Sequence, residues 1–134
     1  MIRLLLDTNL LIQEPDFSLL DAPADEIELY TSALCYAELL EGEFSTDPLV
    51  AASAIMQYAA TQAALGEGLP FGSAELSAYR ALCAAVVRSG RGITRARRMD
   101  TMIAATALSN GMTLATRNRN DFAAIQKIMP IVQL

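Results

Sequence analysis

The sequence predicts an α/β fold in which a parallel sheet is covered by helices. Short apolar or alternating stretches, the pattern of strands, alternate along the chain with longer stretches that begin with helix-capping residues. Such alternation is typical of strand–helix–strand units, whose connections place parallel strands side by side. The 134 residues show no repeat, linker or low-complexity segment, which predicts a single domain over residues 1–134.

Apolar runs and helix caps define the predicted elements of the first half. The apolar run 3–6 predicts a buried strand, and the polar residues after it can cap a short helix over 10–13. The alternating run 27–31 predicts a second strand, followed by a helix over 32–43 that starts at a serine cap. A longer helix over 47–65 begins with Asp-Pro and ends at a glycine.

The second half continues the alternation. Helices are predicted over 73–89 and 95–110, and each is followed by a glycine. Residues 112–115 form the next predicted strand, and residues 120–122 open a short helix. The run 130–134 predicts a last strand at a sheet edge, because it begins with a proline, which cannot donate a backbone hydrogen bond.

Composition excludes several kinds of chemistry. The chain contains no histidine, which removes Ser–His–Asp and Cys–His catalysis as well as histidine-ligated zinc. It contains neither the glycine-rich phosphate loop of nucleotide-binding proteins nor a dinucleotide-binding fingerprint. Cys35 and Cys83 stand apart in the sequence, and we interpret them as small buried residues.

The net charge of −5 conceals an uneven distribution. Residues 1–79 hold thirteen acidic residues and one basic residue, whereas residues 80–134 hold two acidic and nine basic residues. Such asymmetry can indicate a basic face that binds a polyanion, although an ordinary solvated surface would also produce it.

Two further features concern location and assembly. No stretch is apolar enough over about 20 residues to span a membrane, and the N-terminus lacks the pattern of a signal peptide, so we expect a cytoplasmic protein. The uncharged helix from Pro48 to Gly66 carries its polar residues Ser53, Gln57 and Thr61 in one narrow stripe. Its remaining apolar surface predicts contact with a second copy or with another protein.

Four carboxylates occupy positions that are costly for an unpaired charge. Asp7 ends a buried strand, Glu38 and Asp100 lie in apolar helices, and Asp121 follows the strand predicted over 112–115. Open parallel sheets bind their ligands at the carboxyl ends of the strands, so we expect these acids to converge there. A divalent cation would relieve their mutual repulsion, and oxygen ligands select Mg²⁺ or Mn²⁺.

Each acid also has a purely structural interpretation. Asp7 and Asp121 could cap the helices that follow them, and Glu38 could reach solvent at the edge of its helix. Asp100 could pair with an arginine from elsewhere in the chain, which is less favourable in so apolar a helix. The coincidence of all four acids with a basic second half favours the metal site.

Four segments resemble the motifs of PIN domains. Residues 6–9 (Leu-Asp-Thr-Asn) resemble the first motif, and Thr31-Ser32 with residues 38–42 resemble the second. Residues 100–107 resemble the third, and residues 114–122 (Leu-Ala-Thr-Arg-Asn-Arg-Asn-Asp-Phe) resemble the fourth. The four motifs occur in the family's order over nearly the whole chain, and the last is most similar to that of VapC-type toxins.

The resemblance implies an α/β/α sandwich with a central parallel sheet and the activity of a metal-dependent endoribonuclease, the toxin of a type II toxin–antitoxin pair. It implies a homodimer inhibited by a VapB-type antitoxin, and a Mg²⁺ or Mn²⁺ cofactor that activates water to cleave RNA phosphodiesters. The positions that match the motifs, and so would be catalytic and bind the metal, are Asp7, Glu38, Asp100 and Asp121. Thr8, Thr116 and Asn118 would support them, and Asn118 could exchange roles with Asp121.

Basic residues next to these motifs are expected to contact RNA phosphates. They are Arg95, Arg97, Arg98, Arg117 and Arg119. Two other functions fit the same residues: a non-catalytic PIN-like module that binds RNA or protein, and a phosphatase of the haloacid-dehalogenase type. The phosphatase is disfavoured because Asn9 replaces the second aspartate that its motif requires.

Overall fold

The computed structural model describes all 134 residues and contains four strands and five helices. The strands are β1 (Ile2–Leu6), β2 (Ile27–Tyr30), β3 (Thr113–Thr116) and β4 (Ile131–Gln133). The helices are α1 (Thr8–Ile12), α2 (Ala33–Glu41), α3 (Pro48–Leu65), α4 (Ser73–Arg88) and α5 (Arg95–Ser109). Short 3₁₀ turns lie at Phe17–Leu19, Ala24–Glu26, Gly42–Phe44 and Arg119–Phe122.

The strands form one parallel sheet in the order β2-β1-β3-β4, with helices packed around it as an α/β/α fold. This confirms the predicted fold class and the edge position of the last strand. The predicted bounds of β3 were one residue too early, because the amide of Met112 still donates to the carbonyl of Ala107 at the end of α5. The short helix predicted over 120–122 is a 3₁₀ turn.

The centre of the core is formed by the two central strands and by α5, and buried residues of α1, α2 and α4 pack around them. Leu4, Leu5 and Leu114 are fully buried in the sheet. On α5, Ile103 is fully buried together with the alanines around it, whose small side chains allow the helix to approach its neighbours closely. This packing fixes α5 firmly, and with it the position of Asp100, which lies one turn before the buried segment.

Helix α3 leaves most of its apolar side chains outside the core, and only Tyr58 and Leu65 among its large ones pack against it. Of its 18 residues only Thr61 is buried, and the side-chain amide of Gln57 donates to the carbonyl of Leu11, so these two residues of the polar stripe face the domain, whereas Ser53 is exposed. Leu49 and Met56 are 82% and 73% exposed. The helix therefore presents apolar side chains to the outside, as the sequence predicted.

None of the helices combines the length and the hydropathy that crossing a bilayer requires.

Candidate active site

The site forms where β1 and β3, neighbours in the sheet, reach their carboxyl ends. Leu6 pairs with Ala115, so the next residues, Asp7 and Thr116, lie side by side. The amide of Asp7 donates to the carbonyl of Ala115 at 2.9 Å, which extends the strand pairing to the residue that carries the carboxylate. The strand pairing therefore positions Asp7 at the carboxyl end of the sheet, as the sequence predicted.

Asp7 is buried, with only 6% of its surface exposed, and both of its oxygens accept hydrogen bonds. Oδ2 accepts from the Thr116 hydroxyl at 2.9 Å, and Oδ1 accepts from the amide of Thr8 at 2.9 Å, which caps α1. Burial raises the pKa of Asp7, the two hydrogen bonds lower it, and the charge of Asp121 raises it further, so that the net shift is upward. Asp7 therefore caps α1 through Oδ1, as predicted. Its other oxygen, Oδ2, accepts the hydrogen bond from Thr116.

Glu38 joins the site through Thr8. Ser32 caps α2 by accepting from the amide of Cys35 at 3.0 Å, and this start places Glu38 on the turn that faces the end of β1. The Thr8 hydroxyl donates to Glu38 Oε1 at 2.6 Å. Burial raises the pKa of Glu38, and the hydrogen bond from Thr8 lowers it less than burial and the nearby carboxylates raise it.

Asp100 has the most perturbed environment of the four acids. Burial and then the charges of Asp7, Glu38 and Asp121 raise its pKa to about 6. No cation is among the groups that act on it. The structural alternative for this residue, a pairing with an arginine, is therefore not what the structure shows.

Asp121 and Asn118 occupy the exposed turn after β3. The Asn118 side-chain amide donates to Asp121 Oδ1 at 3.2 Å, and the Asn118 backbone amide donates to the Thr116 hydroxyl at 3.3 Å. Asp121 is close enough to raise the pKa values of both Asp7 and Asp100. Asn118 and Asp121, the two candidates for the fourth metal-binding position, therefore lie beside the site and are hydrogen-bonded to each other.

Asn9, which the first motif contains, also lies at the site, although it was not among the predicted site residues. Its side-chain amide donates to the Thr116 hydroxyl at 3.4 Å, and its Oδ1 accepts from the amide of Arg117 at 3.3 Å. It therefore ties the start of α1 to the end of β3, next to the Thr116–Asp7 hydrogen bond. Its place two residues after Asp7 in the first motif was the only signal in the sequence.

The donors that face the site suit a hard divalent cation. They are carboxylate and hydroxyl oxygens, and repulsion among the acids is not offset by a basic group at Asp100. In this conformation no three acids lie close enough together to enclose a metal ion. Asp121 is exposed and Asp100 is only partly buried.

The arginines near Asp100 differ in their surroundings. Arg97 lines a narrow cleft together with Asp121, and Arg91 lines the same cleft from the loop before α5. Arg98 instead lies close enough to Tyr79 on α4 to act on its phenol.

Arg117 is a largely structural residue in this conformation. It is half-buried, its Nη2 donates to the carbonyl of Glu14 at 3.4 Å, and its Nε is buried without a partner. Arg95 and Arg119 are exposed and face solvent. The five arginines expected to contact RNA are therefore not one continuous surface.

Comparison with known families agrees with this geometry. A model of the PIN domain matches residues 4–128, which include all four acids. The chain belongs to the PIN-domain family. The resemblance noted from the four motifs is thereby confirmed. Comparison of this PIN domain with curated proteins finds no match.

Solved structures similar to this PIN domain include several that are described as VapBC proteins. VapBC-5 of Mycobacterium tuberculosis, described as a member of the VapBC family of such systems, is 24% identical with a TM-score of 0.82 and full coverage of both chains. VapBC2 of Rickettsia felis, bound to a DNA fragment from its promoter, is 21% identical with a TM-score of 0.77 over 99% of each chain. FitAcB of Neisseria gonorrhoeae is 25% identical with a TM-score of 0.71, covering 97% of this chain and 96% of that one.

Proposed function

We propose that this PIN domain is a metal-dependent endoribonuclease that acts as the toxin of a type II toxin–antitoxin pair. The observation that carries the proposal is the environment of Asp100, whose pKa burial and three other carboxylates raise to about 6. Placing four acids together without a counter-cation destabilises the metal-free fold. Strongly perturbed carboxyl groups of this kind cluster at functional sites.

In the proposed reaction, four acids would hold the metal and two threonines would orient them. Bound Mg²⁺ or Mn²⁺ would supply an activated water and neutralise charge on the phosphodiester. The residues that would hold it are Asp7, Glu38, Asp100 and Asp121. Thr116 and Thr8 fix the two oxygens of Asp7, and Thr8 also orients Glu38. Its raised pKa and single hydrogen bond support the proposal that Glu38 would also accept a proton from water.

Cleavage of RNA by the purified protein tests this proposal. Single-stranded RNA should be cut with Mg²⁺ or Mn²⁺ and remain intact in EDTA. Asp100→Asn should slow cleavage by about a hundredfold or more, the usual contribution of a positioned acidic group. The exposed Asp21→Asn, which makes the same chemical change away from the site, should cleave like the wild type. Undiminished cleavage after complete removal of metal would refute the mechanism.

The proposed partners are a VapB-type antitoxin and a second copy of the chain. Similar structures are described as members of VapBC systems, which supports the antitoxin. The outward apolar side of α3 supports an interface, because exposed patches of this kind mark protein contacts. Co-expression with the small gene beside it should yield a soluble complex whose ribonuclease activity is suppressed.

A non-catalytic RNA-binding module is the second candidate. One observation favours it: no three acids are close enough to enclose a metal ion in this conformation. Binding of RNA without any cleavage under saturating Mn²⁺ would establish that function in place of the first. The four acids at the end of one sheet favour the nuclease, because a binding module would not need carboxylates where RNA phosphates approach.

A further inference from the structure

We propose that Asn9 is a positioning residue of this site, which directs the hydroxyl proton of Thr116 to Asp7 and thereby fixes the Asp7 carboxylate for a divalent cation. This role rests on the proposed nuclease function. It belongs to a side chain that makes no hydrogen bond with any of the four acids and would act on one of them through Thr116.

The backbone amide of Arg117 determines which way the Asn9 side chain is turned. A backbone amide can only donate, and Asn9 accepts this hydrogen bond through Oδ1 at 3.3 Å. The other end of the Asn9 side chain, Nδ2, therefore faces Thr116, whose hydroxyl oxygen lies 3.4 Å away. Because Nδ2 carries only donors, the Thr116 hydroxyl must accept at this contact.

The Thr116 hydroxyl receives a second donor on its other side. The backbone amide of Asn118 donates to the same oxygen at 3.3 Å. A hydroxyl oxygen has two lone pairs and one proton, so these two contacts fill both of its acceptor positions. The proton is left for Asp7 Oδ2 at 2.9 Å. Thr116 is fully buried, so water does not compete for any of these positions.

The Asp7 carboxylate is held at both of its oxygens. Oδ1 accepts from the amide of Thr8 at 2.9 Å, and Oδ2 accepts from Thr116. The Thr8 amide is fixed by the backbone, whereas the Thr116 hydroxyl could rotate if one of its acceptor positions were free. Asn9 removes that freedom. Groups that orient a metal-binding side chain in this way typically change metal affinity by about 10–100-fold when they are lost.

A double-mutant cycle on Mn²⁺ binding tests whether Asn9 acts through Thr116. Isothermal titration of the metal-free protein gives Kd for the wild type, Asn9→Ala, Thr116→Val and the double variant. Asn9→Ala should raise Kd about tenfold, because water admitted beside Thr116 would accept the hydroxyl proton in place of Asp7. In the Thr116→Val background the same substitution should change Kd by less than about twofold, since the hydroxyl through which Asn9 acts is gone.

Two further variants separate positioning from a loss of folding, with urea denaturation reporting the stability of each protein. Asn110→Ala removes a side-chain amide that donates to the carbonyl of Thr106 at 2.7 Å, about 15 Å along α5 from Asp100, and should keep the wild-type Kd. Asn9→Asp keeps the acceptor for Arg117 but cannot donate to Thr116. Its added charge acts in both backgrounds, so it should raise Kd more, or lower it less, in the wild-type background than in Thr116→Val.

The outcomes distinguish the role of Asn9 from the nuclease function. A wild-type Kd in Asn9→Ala, or equal effects of this substitution in both backgrounds, would overturn the role of Asn9 even if the protein cleaves RNA. Absence of Mn²⁺ binding by the folded wild type would overturn it together with the metal site. Coupled effects in a protein that cleaves no RNA would support the role of Asn9 and refute the nuclease.

Discussion

At the scale of single residues, Asp7 and Asp100 differ in what offsets their burial. Asp7 accepts hydrogen bonds from Thr116 and Thr8, which favour its charged form. Asp100 faces other carboxylates, and its pKa is raised to about 6. The pKa values of both acids are raised, but hydrogen bonds offset part of the burial at Asp7, whereas Asp100 has no such offset and would be relieved by a cation.

Replacing Asp100 should stabilise the metal-free protein. Its pKa rises from 3.8 to about 6 on folding, so between these values the folded state binds more protons than the unfolded state. The free energy of unfolding of the wild type should therefore fall as pH rises through that window. Asp100→Asn removes the penalty and should be more stable at pH 7 by about 1–2 kcal/mol, after a discount for solvent screening. Below the lower value the difference should vanish.

Urea denaturation in EDTA at several pH values measures this difference. Asp21→Asn, an exposed acid, should show no such pH-dependent gain. If Asp100→Asn is less stable than the wild type at pH 7, the residue stabilises the fold through a pairing, and its assignment to the metal site fails.

The Thr116 hydroxyl should be needed for activity beyond its contribution to folding. Thr116→Val keeps the shape but removes the hydrogen bond that lowers the pKa of Asp7, so the acidic limb of the pH–rate profile should move to higher pH. Losing a hydrogen bond to a charged group costs roughly 1.5–3 kcal/mol, which corresponds to about tenfold or more in rate.

Two matched variants separate this effect from a loss of packing. Thr116→Ser keeps the hydroxyl and should restore the profile. Thr106→Val alters another fully buried threonine, one whose hydroxyl donates within α5, and should leave the profile in place. An identical profile for Thr116→Val and the wild type would show that this hydrogen bond does not tune Asp7.

At the scale of the elements, α3 and α5 both contain several alanines, but the two helices bury very different parts of their surfaces. Ala104, Ala105 and Ala107 of α5 are buried and bring the helix close to its neighbours, whereas α3 buries Thr61 alone. The outward side chains of α3 do not contribute to the core of this chain. Their exposure suggests a role in assembly and not in folding.

Charges placed on α3 should disrupt assembly without unfolding the chain. Leu49→Glu/Met56→Glu alters side chains that are 82% and 73% exposed, so stability should change by no more than about 0.5 kcal/mol per site. Light scattering should show a smaller species than the wild type. Leu19→Glu, at a residue that is 62% exposed outside α3, is the control. A wild-type protein that is monomeric at high concentration would contradict the interface.

At the scale of the whole molecule, the sequence predicted the order of elements well and their contacts only in part. Asp47-Pro48 and Gly66 gave both ends of α3 correctly, because capping is a local property. Hydrophobic patterning predicted that the four acids lie near the carboxyl ends of the strands of a parallel sheet. It could not show that Asn9 reaches Thr116, since this contact joins segments more than a hundred residues apart.

The arginines illustrate the same limit. The five arginines expected to contact RNA looked equivalent in the sequence. In the structure, however, Arg97 lines a narrow cleft beside Asp121, Arg98 approaches Tyr79, and Arg117 is half-buried. Helix rotation and tertiary packing decide which way each side chain points, and neither is encoded in local charge. The site, in turn, depends on four separate segments that only the complete fold brings together.

Binding of Mn²⁺ to the metal-free protein is the decisive measurement for the site formed by the four acids. Isothermal titration should show Mn²⁺ binding to the wild type and to Asp21→Asn. Binding should be at least about tenfold weaker in Asp100→Asn, which loses one charged ligand near the three other acids. Absence of Mn²⁺ binding to the folded wild type, or equal affinity in Asp100→Asn, would contradict the claim that these acids form a metal site.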